Sequence, residues 1–103
     1  MFLARVQGRV VSTAKEVAMV GSRLLIVEPM RVNYDADQAM LEVTGRAIVA
    51  VDQLGAGDGQ LVLITQGSSA RMADGCAKMP IDAAVVGIVD EAVVQGHNVT
   101  GSK

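Results

Sequence analysis

Residues 2–13 alternate, with Arg5, Gln7 and Arg9 on one face and Ala4, Val6, Gly8 and Val10 on the other. That period predicts a strand with one face in water and one in a core. Residues 23–28 hold the tighter run Leu24-Leu25-Ile26-Val27, a second strand. Pro29 marks its end at an edge or bend, because proline brings no amide to a ladder. Residues 32–40, with Asn33, Asp35 and Asp37, show little periodicity and read as an exposed connection. Residues 42–52 predict a third strand, with Gly45 as a bulge or bend, and residues 60–66 a fourth. Those two should pair as a hairpin across Gly55-Ala56-Gly57-Asp58-Gly59. Ser68 or Ser69 can then cap a short helix running through Arg71 and Met72 to a stop at Gly75. After Pro80, the unbroken apolar run from Ala83 to Val89 predicts a fifth strand buried on both faces. Residues 91–100 offer a last hairpin around Gln95-Gly96-His97-Asn98, and residues 101–103 a frayed tail.

Five short strands and one short helix between the fourth and fifth predict a mainly β fold: a small five-stranded OB-like β-barrel with a C-terminal hairpin or extension. Closure removes edges that would otherwise aggregate. Residues 1–103 form one domain in this reading, with no internal repeat.

Composition narrows the interior. Half the residues are hydrophobic, but there is no Trp, one Phe (Phe2) and one Tyr (Tyr34), so the core must be aliphatic and narrow. So light a core leaves a thin margin over chain entropy, and self-association is its natural supplement. The six Met residues read as packing filler. Nine Lys and Arg against eleven Asp and Glu give a net charge of −2 without a basic run, which disfavours nucleic acid. The usual single-strand binding by OB-like barrels needs exposed aromatics and a positive groove, scarce here, but an OB-like binding module for single-stranded nucleic acid or another polymer stays the alternative reading. Arg5 and Arg9 interrupt the apolar start too early for a signal-peptide core, and no segment has the roughly 20 apolar residues of a membrane span. A cytosolic protein without membrane contact is expected.

Candidate chemistry is sparse. Gly55, Gly57 and Gly59 resemble a phosphate loop, but such loops open a helix whose amides face the phosphate, and here the strand-like Leu61-Val62-Leu63-Ile64-Thr65 follows. Cys76 and His97 are single and fall in different elements, so neither a zinc site nor a nucleophile–base pair is expected. Asp52, Asp82, Asp90 and Glu91 stand at strand ends rather than in a spaced set of metal ligands. Asn98-Val99-Thr100 fits the glycosylation pattern by accident if no secretory signal precedes it. No enzyme, cofactor or metal is expected.

The opening Met1-Phe2-Leu3-Ala4-Arg5-Val6-Gln7-Gly8-Arg9-Val10-Val11-Ser12-Thr13, the glycine turn followed at fixed spacing by Gly67-Ser68-Ser69-Ala70-Arg71, and Pro80-Ile81-Asp82-Ala83-Ala84-Val85-Val86-Gly87-Ile88-Val89-Asp90 resemble, in order, the pentameric vertex proteins of bacterial microcompartments, the family of the ethanolamine-utilisation and carboxysome vertex proteins. Leu61 stands where many relatives carry Trp, and residues 32–44 are longer than in the shorter members. The resemblance implies a structural role: a homopentamer capping corners of a polyhedral shell whose flat faces are hexameric shell proteins. The ending Val89-Asp90-Glu91-Ala92-Val93-Val94 looks closer to catabolic members, the metabolosomes, than to carboxysome members.

Around a rotation axis every side chain meets copies of itself, so small residues at Gly55, Ala56 and Gly57 suit an axial loop, with Asp58 turned to water and Gly59 closing it. The same glycines also fit a turn that needs positive φ, and the two readings are compatible. Gly67, Ser68, Ser69, Ala70 and Arg71 are the candidate subunit interface, their hydroxyls and forked guanidinium suited to a neighbour's carboxylate or carbonyls.

Overall fold

The alternation of the first residues becomes strand β1 (Phe2–Val10), with Ala4 and Val6 buried and Gln7 and Arg9 exposed. The computed structural model describes residues 1–11, 23–35, 37–67, 70 and 82–101. After β1 come β2 (Arg23–Asn33), β3 (Met40–Val43), β4 (Ile48–Asp52), β5 (Leu61–Gln66) and β6 (Ala83–Ile88). A small hairpin of β7 (Val93–Val94) and β8 (His97–Asn98) follows. The large sheet runs β1-β5-β6-β4-β2-β3, and β1 also pairs with β2. That extra pairing closes β1, β2, β4, β6 and β5 into a five-stranded barrel, with β3 as an additional strand on β2. Pairing is antiparallel except between β4 and β6.

The barrel interior is aliphatic, as composition requires. Ala4, Val6, Leu25, Val27, Ala50, Val62, Ile64, Ala83 and Val85 line it, and Ala56 joins them from the glycine turn. Four alanines among these residues keep the interior narrow enough for side chains to fill it. A second cluster lies on the outside of the wall, because Leu3 and Leu61 alternate with the inward Ala4 and Val62. It joins Leu61 to Met30, Leu41 and Val99. Val89, Ala92 and Val94 pack against it, so the C-terminal residues cover the β1–β5 wall beside the β2–β3 arm.

Several expectations change. The strands flanking the glycine turn do not form a hairpin: β4 pairs with β2 and β6, β5 with β1 and β6. The turn therefore carries the chain past β6, and Ala56, fully buried, anchors it in the core. Pro29 does not end the second strand. It sits where β2 exchanges one partner for another, Val27 opposite Ile48 of β4 and Met30 opposite Val43 of β3, so its missing amide falls at a gap in the ladder. The expected third strand divides at Gly45 (φ 84°) into β3 and β4, and residues 32–33, read as connection, belong to β2. Only the first half of β6 is buried on both faces, since Val86 is exposed. The described residues contain no α-helix, though Gly67 and Ala70 have 3-10 conformation; the short helix expected at residues 68–72 otherwise lies outside them.

Candidate functional site: the glycine turn

The turn between β4 and β5 is built on Asp52. As the last residue of β4 it points its carboxylate forward, where Oδ1 accepts from the Leu54 amide (2.9 Å) and Oδ2 from the Ala56 amide (2.8 Å). This is the Asx-turn chemistry that an Asp three residues before a glycine can supply. Arg23, its partner in the β2–β4 register, donates from Nη1 to Oδ2 (3.1 Å) and from Nη2 to the Ala56 carbonyl (3.1 Å). Asp52 is 2% exposed, so these donors replace the water that its charge has lost.

The second half is held by Gln60 and β1. Gln60 Oε1 accepts from the Gly57 amide (2.7 Å), and the Gln60 amide returns a bond to the Gly57 carbonyl (3.2 Å). Gly59 donates to the Val6 carbonyl and Val6 to the Gln60 carbonyl, which extends the β1–β5 ladder into the turn. From the same strand, the Arg5 guanidinium fork reaches Gly59 O with Nη1 (3.1 Å) and Thr100 O with Nη2 (3.0 Å).

Of the residues expected at an axial loop, Gly55 and Gly59 adopt positive φ (87° and 82°), which accounts for glycine there within one chain. Gly57 has no such φ, and a Cβ on it would meet nothing closer than Gln60 Oε1 at 3.9 Å. Asp58 is exposed. The Ala56 side chain is fully buried in the barrel's own core, and its backbone carries the turn. Of the candidate interface, Gly67 is exposed and donates its amide to Asp82 O (2.7 Å), Ala70 is fully buried, and Ser68, Ser69 and Arg71 lie outside the described residues. Cys76 does too, while His97 is exposed on β8. Sequence reasoning missed Asp52, Arg23, Gln60 and Arg5, the residues that shape the turn. An Asp three residues ahead of Gly55 was the available signal for the first.

The family model described as ethanolamine utilisation protein EutN/carboxysome matches residues 1–90. The chain belongs to the EutN/carboxysome family. The microcompartment shell vertex protein PduN of Salmonella typhimurium is 49% identical over 90 residues, 87% of this chain and 96% of its own length. The structure of the ethanolamine utilization protein EutN from Escherichia coli superposes with a TM-score of 0.77 at 39% identity, covering 96% of this chain and 95% of that one. The GrpN pentameric microcompartment shell protein from Rhodospirillum rubrum gives 0.73 at 39% identity, over 91% of this chain and 99% of its own. PduN and GrpN are microcompartment shell proteins. Among the described residues no group of three or more His, Cys, Asp or Glu could hold a metal ion, and no helix is long and apolar enough to cross a membrane. Leu61, in place of the Trp expected of many relatives, fills the second apolar cluster at 2% exposure.

Proposed function

We propose that this chain is a shell vertex subunit of a bacterial microcompartment, with five copies closed head to tail around a rotation axis to cap a corner between hexameric shell proteins. Membership of the EutN/carboxysome family and likeness to a pentameric shell protein support it. The greater identity to PduN than to the carboxysome vertex protein of Synechococcus elongatus, 49% against 40%, favours a catabolic compartment. Counting barrel strands alone, β1, β2, β4, β6 and β5 give an order of first, second, third, fifth and fourth, which supports the OB-like reading.

The observation that carries the ring is Gly57. Its own chain gives no reason for glycine: the backbone does not require it and a Cβ would find room. Crowding by copies of the same turn around an axis supplies the reason. Gly55, Asp58 and Gly59 flank it on that surface, and the backbone of Ala56 supports it from the core. Leu54, Val49 of β4 and Val86 of β6 are exposed aliphatic residues that a neighbouring subunit would cover. Gly67-Ser68-Ser69-Ala70-Arg71 is the proposed contact on the adjoining subunit surface, on the chemistry of its hydroxyls and guanidinium.

Native mass spectrometry tests the reading: a discrete fivefold multiple of the chain mass is expected, and Gly57→Glu should yield folded single chains. A Gly57→Glu ring of unchanged mass would refute the axial placement. The alternative, an OB-like module for single-stranded nucleic acid, finds only Tyr34 as an exposed aromatic among the described residues. Salt-sensitive retention of the wild type on single-stranded DNA would favour it instead.

A further inference from the structure

The family match ends at residue 90, before the β7–β8 hairpin. Residues beyond it are nevertheless bound into the molecule at three levels. Val99 is 2% exposed and sits in the outer apolar cluster with Met30, Leu41 and Leu61. The segment closes on itself, with the Val99 amide donating to Ala92 O (2.9 Å) and the Ala92 amide to Thr100 Oγ1 (2.8 Å). Thr100 then offers its carbonyl to Arg5 Nη2, while Arg5 Nη1 holds Gly59 O. One planar guanidinium thus joins the end of the C-terminal hairpin to the far end of the glycine turn, 41 residues apart between Gly59 and Thr100 in sequence.

We infer that the C-terminal hairpin sets the shape of the glycine turn through Arg5, a positioning residue, and thereby the tightness of the ring. Residues 91–101 are on this reading an assembly element. The physical basis is the fork: its two donors have a fixed angle, so where Thr100 O sits constrains where Gly59 O can sit. On the other side of Gly59, its amide is held by Val6 O of the strand that carries Arg5, so the turn moves with β1 and the hairpin together. The inference rests on the ring reading for its consequence, and on these contacts alone for the coupling.

The test is a double-mutant cycle of Arg5→Gln and Thr100→Val in the full chain. Ring dissociation is read from concentration-dependent native mass, and turn mobility from hydrogen exchange of the Gly59 amide. Thr100→Val removes the hydroxyl that holds Ala92 and so loosens the carbonyl offered to Arg5. Arg5→Gln should raise the ring dissociation constant about tenfold or more, the loss expected for hydrogen bonds from a charged donor. Thr100→Val should raise it several-fold and accelerate Gly59 exchange. In the Arg5→Gln background, Thr100→Val should add nothing to either readout. Independent, multiplying effects would overturn the inference, as would an Arg5→Gln ring of wild-type tightness. Should Arg5→Gln fail to fold, Arg5→Lys, whose single ammonium cannot span both carbonyls, takes its place in the cycle with the same expected non-additivity. A wild type found only as single chains would refute the ring, while Gly59 exchange across the cycle would still decide whether hairpin and turn are coupled.

Discussion

Arg23 and Asp52 face each other across β2 and β4 at 3.1 Å, the carboxylate wholly buried and the guanidinium side chain 50% exposed. The pair is unequal in consequence. Asp52 also satisfies the amides of Leu54 and Ala56, so its loss strands two donors in the turn, whereas losing Arg23 leaves a carboxylate that still has both amides. Asp52→Ala is expected to lower unfolding free energy by about 3 kcal/mol, near the low end for breaking a buried pair. Arg23→Met should cost roughly 1 kcal/mol, as for a solvent-screened partner. Urea titration of both variants checks the ordering, and equal losses would contradict it.

Glycine at 55 and at 57 has different grounds. Gly55→Ala places a side chain at φ 87° and should cost about 1–2 kcal/mol in the stability of the single chain. Gly57→Ala should leave that stability within roughly 0.5 kcal/mol of wild type, since nothing in the chain opposes its Cβ. Thermal unfolding under dissociating conditions separates the two.

Leu61 fills its place among Met30, Leu41 and Val99. Leu61→Trp overpacks this cluster and should destabilise by roughly 1–3 kcal/mol. A Trp variant as stable as wild type would mean that the C-terminal cover yields freely, and calorimetry distinguishes the two.

The β7–β8 turn places Gln95 at φ 51° and Gly96 at φ 79°, the signature of a type I′ hairpin. Gln95→Asn, which tolerates that region better, should stabilise the protein by about 0.5 kcal/mol. A measured loss in chemical denaturation would show that the Gln95 side chain has a role of its own.

Where the sequence pattern was strong, strands were legible: alternation in residues 2–10 and the apolar runs at 24–27, 61–65 and 83–88 all became barrel strands. The expected hairpin across the glycine turn failed because local pattern says which residues extend, while partner choice depends on what the whole barrel can bury. Here β6 intervenes between β4 and β5. The same reason lets β2 run through Pro29. A missing amide ends a strand only where a partner asks for it, and β2 changes partners there. In the site, glycine spacing located the turn, but Arg5, Gln60 and Arg23 gave no local sign of their roles.

Composition alone determined that the core would be narrow and aliphatic, since a chain with two aromatic residues has little else to bury. Periodicity determined which stretches would extend, because side-chain alternation is a property of the strand itself. Tertiary structure decided closure, strand order and the charged supports of the turn. Those depend on groups distant in sequence arriving at one place, as Arg5 reaches Thr100 and Arg23 reaches Asp52, and no local pattern encodes such a meeting.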